Sequence, residues 1–160
     1  MKNLVLISIL FLLFTCGVSS KNPFGPWKTI EVGRYIFDFP PGFELIKEKG
    51  IDSYVGKIQD DSISFSFDYG YYSNDFELLS EEYQNEFKMF FIVDTVENQY
   101  RKIVYGNNPE KEITGIYLRD LESFNKSINS YLALSMETDK ITKQQQEIVL
   151  KIFRTGRLKK

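Results

Sequence analysis

The sequence contains no histidine and a single cysteine, Cys16, and these shortages remove most common catalytic and metal-binding arrangements. Serine–histidine–acid and cysteine–histidine nucleophilic sites need an imidazole. Structural zinc sites need cysteine or histidine ligands. The chain also lacks a Gly-x-x-x-x-Gly-Lys-Ser/Thr phosphate loop and an Asp-x-Asp-x-Asp-Gly calcium loop. We therefore expect no cofactor, no metal and no catalytic set of these kinds, which leaves carboxylates and lysines for acid–base chemistry.

A strong charge of either sign is lacking as well. The chain has 20 basic and 22 acidic residues in 160, a net charge of −2. Loss of Lys2 with an export signal would leave 19 basic residues against 22 acidic ones, a net charge of −3. This balance predicts no basic patch for nucleic acid or anionic lipid. The length and the 42% hydrophobic content are typical of one globular domain.

The N-terminus has the pattern of an export signal. Lys2 is followed by an apolar run over residues 4–14 and then by small residues. The run is shorter than the roughly 20 apolar residues that a spanning helix needs. We predict a secretory signal peptide over residues 1–20 and therefore an exported protein, located in the periplasm, as an outer-membrane lipoprotein or outside the cell.

The end of the signal has two interpretations. Residues 13–17, Leu-Phe-Thr-Cys-Gly, resemble a bacterial lipobox, in which a lipid is attached to the cysteine, here Cys16. The alternative is ordinary cleavage after Ser19 or Ser20, which would remove the cysteine. Membrane attachment is predicted only through a lipid anchor at Cys16 or through an uncleaved signal. If Cys16 carries a lipid or is removed by cleavage, the mature chain has no free thiol and no internal disulfide.

Residues 21–27 read as a linker, because their prolines and glycine interrupt regular structure, and residues 28–160 read as a single domain. Period-two alternation, the mark of a strand with one buried face, is cleanest over residues 62–69. Polar alternate positions favour an antiparallel sheet with an accessible face. The predicted strands are 28–32, 35–39, 52–58, 62–69, 87–94, 99–105, 112–119 and 128–137.

Two segments are predicted to be helical. Residues 76–86 could form a short acidic helix. In the second segment, Thr142 and Gln145 match a capping box, an apolar stripe follows, and Gly156 is placed to end the helix. The sequence thus predicts an α+β fold in which a mostly antiparallel, twisted sheet is packed by a C-terminal helix.

Both ends of the domain resemble a known family. Residues 35–43, Tyr-Ile-Phe-Asp-Phe-Pro-Pro-Gly-Phe, are similar to the opening strand and turn of PsbP-like domains. Residues 151–158, Lys-Ile-Phe-Arg-Thr-Gly-Arg-Leu, resemble the closing helix and short final strand of that family. Small exported bacterial lipoproteins have similar ends. The resemblance implies a fold and no particular activity, since this fold hosts unrelated roles.

The most unusual stretch is residues 67–75, where four aromatic side chains surround Gly70 at the end of a predicted strand. Loops on a rigid sheet often bind ligands, and tyrosine offers contact area at a low entropic cost. We predict a recognition patch for a protein or glycan partner, formed by Tyr69, Tyr71, Tyr72 and Asp75. The alternative is that Phe67 and Tyr69 belong to the core while Tyr71 and Tyr72 cover the sheet edge.

The acidic residues supply the remaining hypothesis. Asp60 and Asp61 read as a turn between two strands, and Asp68 and Asp94 could in principle meet across the sheet. We expect a non-catalytic exported domain that binds a partner or ligand at the cell envelope. The alternative is a carboxylate-dependent extracytoplasmic hydrolase, which would need two carboxylates converging in a cleft, at least one of them poorly solvated.

Overall fold

The computed structural model describes residues 25–76 and 88–160. The predicted signal peptide, Cys16, most of the linker and all but Phe76 of the predicted acidic helix lie outside the described residues. Antiparallel strands are the main regular structure of the described chain, and the C-terminal region adds a helix. The predicted α+β character is therefore confirmed.

The larger sheet has seven antiparallel strands in the spatial order β3-β4-β5-β9-β8-β7-β6. The strand β5 therefore lies between β4 and β9, inside the sheet. The strands are β3 (Glu44–Lys47), β4 (Tyr54–Gln59), β5 (Ser64–Gly70), β6 (Phe90–Val96), β7 (Gln99–Tyr105), β8 (Thr114–Asp120) and β9 (Ala133–Thr138).

A second, three-stranded sheet joins the two ends of the domain. It consists of the hairpin β1 (Lys28–Val32) and β2 (Tyr35–Phe39) and the short β10 (Arg157–Leu158). The strand β10 pairs with β2, with Arg157 opposite Ile36. The final strand that follows the helix is thus present.

The helix α1 (Lys143–Arg154) begins as the sequence predicts. The Thr142 hydroxyl accepts a hydrogen bond from the Gln145 amide at 3.3 Å, and the Thr142 amide donates to the Gln145 side chain at 2.8 Å. Val149, Ile152 and Phe153 are buried in the core that side chains of both sheets share. The predicted capping box and apolar stripe are both confirmed, with Gly156 just beyond the helix end.

One face of the larger sheet carries the main core. Phe65 and Phe67 of β5 point to this face while Ser64 and Ser66 point to the other, as the alternation predicts. The Phe65 ring lies 5.8 Å from Phe39 of the small sheet and 5.7 Å from Phe153 of α1. Because apolar side chains from both sheets and the helix meet here, this layer fixes the position of the helix end.

The second face of the larger sheet is partly polar and partly apolar. Its β5 positions are polar, but a smaller buried cluster lies over β7, β8 and β9, formed by Phe76, Val104, Tyr117 and Ala133. The Phe76 ring rests on Gly115, where an added Cβ would come within 2.6 Å of the ring. The predicted accessible face is therefore accessible only in part.

The predicted strand over 128–137 is too long. Strand β9 begins at Ala133, whereas Asn125 and Ser130 form an isolated bridge around a turn in which Asn129 has a φ of 49°. A local backbone turn therefore overrides the alternating pattern in the first half of this segment. The sequence also gave no signal for β3, a four-residue edge strand with weak alternation. In residues 25–76 and 88–160, no helix has the length and apolar character to cross a membrane.

Candidate functional site

The predicted aromatic patch splits into packed and exposed parts. The Tyr69 ring packs against the core and lies 6.1 Å from the Tyr35 ring. Gly33, with a φ of +59°, lies beneath Tyr69, and an added Cβ would come within 2.3 Å of that ring. Burial raises the pKa of the Tyr69 hydroxyl. Tyr69 is thus part of the fold's packing, as is the buried Phe67.

The rest of the patch lies in the loop after β5. Tyr72 is 72% exposed, whereas Tyr71 and Asp75 are half-buried. The Ser130 hydroxyl donates to the Tyr71 carbonyl oxygen at 2.6 Å, which ties this loop to the turn before β9. Since β5 lies inside the sheet, Tyr71 and Tyr72 follow a strand end and do not cover a sheet edge, so that part of the prediction is wrong.

The acidic residues singled out in the sequence do not converge. Asp60 accepts hydrogen bonds from the Ser62 and Ile63 amides, each at 2.7 Å, which confirms the turn. Asp68 and Asp94 lie on strands with three others between them, a separation of about 19 Å at the usual strand spacing. The register also places them on opposite faces of the sheet. These two carboxylates cannot act on one substrate bond.

A different acidic pair lines a small polar pocket at the end of β9. Glu137 and Asp139 share a pocket of about 260 Å³ with Ser64, Ser66 and Thr138. Burial, and to a lesser degree the charge of Asp139, raises the pKa of Glu137. Asp139 itself is mostly exposed and lies 3.8 Å from the Lys140 ammonium. In the described ranges no group of three or more cysteine, histidine, aspartate or glutamate side chains is placed to hold a metal.

A larger cleft of about 420 Å³ lies between the β6–β7 turn and the segment that runs from the end of α1 through β10. Four cationic side chains and one carboxylate contribute to its walls, together with short apolar stretches. Its lining residues are Val96, Glu97, Gln99, Arg101, Arg154, Thr155, Gly156, Arg157, Leu158 and Lys160.

Two local features bring the walls of this cleft together. The turn between β6 and β7 has only two residues, with Glu97 at a φ of 54°, so Val96 and Gln99 lie directly opposite each other. On the other wall, Gly156 allows the chain to pass close to the core, because an added Cβ would come within 2.6 Å of the Phe37 ring. The tight β6–β7 turn therefore places one wall of the cleft. The other wall depends on Gly156, because no larger residue fits so close to Phe37.

Three side chains of the cleft donate hydrogen bonds to backbone carbonyl groups at the helix end. Arg101 donates to the Arg154 carbonyl oxygen at 3.1 Å, and Arg157 donates to the Thr155 carbonyl oxygen at 2.8 Å. The Gln99 side-chain amide donates to the Gly156 carbonyl oxygen at 3.1 Å. Helix C-terminal carbonyls need such partners when no further turn follows. These contacts make the walls of the cleft rigid.

Two of the arginines are also neutralised by carboxylates. Arg101 Nε donates to Asp94 at 2.9 Å, and Arg157 Nη1 donates to Asp38 at 3.0 Å. The hydrogen bond from Arg157 lowers the pKa of the Asp38 carboxyl, which partial burial opposes. Both arginines therefore have a structural role that accounts for their charge.

Arg154 differs from these two arginines. Its side chain is exposed, and no ion pair or hydrogen bond involves its guanidinium in the described chain. Lys160 lies 3.7 Å from Glu97, but both of these side chains are largely exposed, so this pair is weak. Gln99 is 5% exposed, and its Oε1 atom has no hydrogen-bond partner within the described ranges. The cleft thus combines one uncompensated cation with one unsatisfied acceptor.

No pattern in the sequence predicted this cleft. The basic residues near the C-terminus, from Arg154 to Lys160, and the Gln99–Arg101 spacing on one strand face were visible signals. Overall charge balance hides such a cluster, because acids elsewhere in the chain cancel it in the sum. The expectation that the protein binds neither nucleic acid nor anionic lipid stays a prediction.

Comparison of the chain with protein-family models and with curated proteins found no match. The resemblance of its two ends to PsbP-like domains therefore stays a prediction.

Proposed function

We propose that this protein is a non-catalytic exported domain that binds a small ligand at the cell envelope, in the cleft between the β6–β7 turn and the end of α1. The single observation that carries this proposal is the cleft itself. Its volume of about 420 Å³ falls in the range of roughly 300–1,000 Å³ that is usual for small-molecule sites.

The construction of the cleft supports binding. Its walls are held by hydrogen bonds from Gln99, Arg101 and Arg157 to the helix end, so a ligand would have little to order on arrival. Val96 and Leu158 add apolar surface beside the polar groups. A mostly preformed cavity with a few fixed polar groups is the usual form of a ligand site.

The acidic content of the cleft supports a non-catalytic role. Carboxylate-dependent hydrolysis of a glycoside needs two carboxyl groups held across the scissile bond. Among the described residues that line the cleft, Glu97 is the one carboxylate, and its side chain is 73% exposed. Its surroundings therefore lack both the second carboxylate and the desolvation that such chemistry uses.

A hydrolase remains the second candidate, and the Glu137 pocket is the observation that favours it. A half-buried carboxyl with a raised pKa beside Asp139 has the form of an acid–base pair. The pocket is smaller than a usual substrate site, however, and Asp139 is well solvated. Hydrolysis that is lost in Glu137→Gln and retained in Val96→Trp would place the activity there instead of in the cleft.

Export and attachment complete the proposal. The N-terminal signal would deliver the domain to the periplasm, to the outer membrane through a lipid at Cys16, or to the exterior. The loop with Tyr71, Tyr72 and Asp75 is then available for a protein or glycan partner, with Tyr69 beneath it as support.

A matched pair of variants tests the cleft. Val96 and Val93 lie on β6 with 52% and 54% exposure, but only Val96 lines the cleft. We expect at least one compound from a panel of organic acids, sugars, sugar phosphates and short peptides to raise the melting temperature of the wild type and of Val93→Trp. The same compound should leave Val96→Trp unchanged, because the indole fills the cleft.

The control and the contrary result are defined by the same pair. Both variants should unfold at nearly the wild-type temperature without ligand, since both positions are exposed. Stabilisation that survives in Val96→Trp, or no stabilisation by any compound in the panel, would contradict binding in this cleft.

A further inference from the structure

The geometry points to a ligand that carries an oxyanion, a carboxylate or a phosphate group, and we propose that Arg154 binds this group in the cleft. The inference rests on the proposed function and names the chemical class of its ligand. It concerns a small molecule, because a cleft of about 420 Å³ has the size of a usual small-ligand site.

Charge compensation singles out Arg154. Arg101 is satisfied by Asp94 and by a backbone carbonyl, and Arg157 is satisfied by Asp38 and by another carbonyl. Arg154 has no such partner in the described chain, although it lines the same cleft. A guanidinium presents paired N–H donors that match the two oxygens of a carboxylate or phosphate. An incoming oxyanion would therefore meet a cation that has no competing internal partner.

The helix end does not oppose an anion as strongly as its position suggests. A helix C-terminus carries partial negative charge on its free carbonyl oxygens. Here the carbonyls of Arg154, Thr155 and Gly156 each accept a hydrogen bond from Arg101, Arg157 or Gln99. These three carbonyl groups are therefore already hydrogen-bonded, and their partial negative charge is less available to repel an anion at Arg154.

The test uses simple probes that differ in charge. Inorganic phosphate, succinate and the neutral succinamide are titrated separately into the isotope-labelled protein at constant ionic strength, and backbone amide shifts are followed by NMR. We expect phosphate, succinate or both to shift the amides of Gln99, Arg101 and residues 154–158 in a saturable way. Succinamide, which has the skeleton of succinate without its charge, should not shift them.

Variants then assign the effect to Arg154. Arg154→Gln should weaken anion binding at least about tenfold, as expected for loss of a charge-assisted pair, and Arg154→Lys should fall between it and the wild type. The control is Lys143→Gln, which removes the same charge at the exposed opposite end of α1. This control should bind anions like the wild type. Because the Arg154 guanidinium has no ion pair or hydrogen bond among the described residues, Arg154→Gln should leave the urea midpoint of unfolding nearly unchanged.

Three results would overturn the inference. These are equal anion binding by the wild type and Arg154→Gln, equal weakening by Lys143→Gln, and no saturable shift at the cleft with either anion. The proposed function fails separately, when no panel compound shows stabilisation that depends on Val96. If a neutral compound loses its stabilisation in Val96→Trp while neither anion gives a saturable shift, the proposed function stands and the oxyanion inference alone fails.

Discussion

Arg34 and Arg154 show two different uses of the same side chain. Arg34 follows Gly33 in the β1–β2 turn and pairs with Asp120, whose side chain is 2% exposed. Tyr69 lies over Gly33, so these four residues join the small sheet to the large one; we call them the hairpin anchor. Arg154, in contrast, lines the cleft, and its guanidinium has no partner within residues 25–76 and 88–160. An internal counterion therefore distinguishes an arginine that holds the fold together from the arginine to which we assign a ligand.

The largest effect is expected from breaking the hairpin anchor at Gly33. Alanine would place a side chain at a φ of +59° and within 2.3 Å of the Tyr69 ring. We expect Gly33→Ala to lower the unfolding free energy by about 2–4 kcal/mol, measured by urea denaturation, from backbone strain and displacement of the ring. In a Tyr69→Ala background the same change should cost only about 1 kcal/mol, the strain alone. Equal costs in both backgrounds would show that the ring contact is unimportant.

A smaller loss is expected from Asp120→Ala. The substitution removes the partner of Arg34 and leaves the Glu122 amide, which donates to Asp120 at 3.0 Å, without its acceptor. Arg34 is half-exposed and can return to water, so we expect a loss of about 2 kcal/mol, less than for a fully buried pair. The comparison is Glu48→Ala, which breaks the exposed pair with Lys57 at 3.2 Å and should cost under about 0.5 kcal/mol. Similar losses in both variants would contradict the role of burial.

The smallest effect concerns pH and the Asp38–Arg157 pair. The pKa of Asp38 is lowered in the folded protein, so this pair stabilises the fold above the ordinary carboxyl pKa of about 3.9. That stability is lost as the pH falls through the lowered pKa. In Arg157→Gln the unfolding free energy should therefore fall less between pH 7 and pH 3 than in the wild type. An unchanged pH dependence would mean that the pair does not hold the helix end.

Several elements could be predicted from the sequence because local patterns determine them. The capping box at Thr142 and Gln145, the alternation over residues 62–69 and the strand at 35–39 all act between near neighbours in the chain. The strand prediction over residues 128–137 was wrong in its first half, because a turn with its own backbone geometry interrupts the alternating pattern there. The short strand β3 was not predicted for a related reason. An edge strand of four residues depends on pairing with its neighbour, here β4, more than on its own pattern.

The same distinction between local sequence patterns and tertiary contacts applies to the candidate sites. The aromatic run around Gly70 was visible as a composition signal, but composition did not show that Tyr69 would lie over Gly33. The cleft could not be derived from the sequence, because Gln99 and Arg101 reach Arg154 and Arg157 only when β7 and the helix end lie side by side.

Residue identity and short-range spacing are enough to specify the absence of histidine chemistry, the start of α1 and the faces of the central strands. Which charges are cancelled depends on the tertiary structure. Asp38, Asp94 and Asp120 lie 119, 7 and 86 residues from the arginines that they neutralise. Charge pairing depends on distance in space and on burial, and the order of residues along the chain specifies neither until the strands have met.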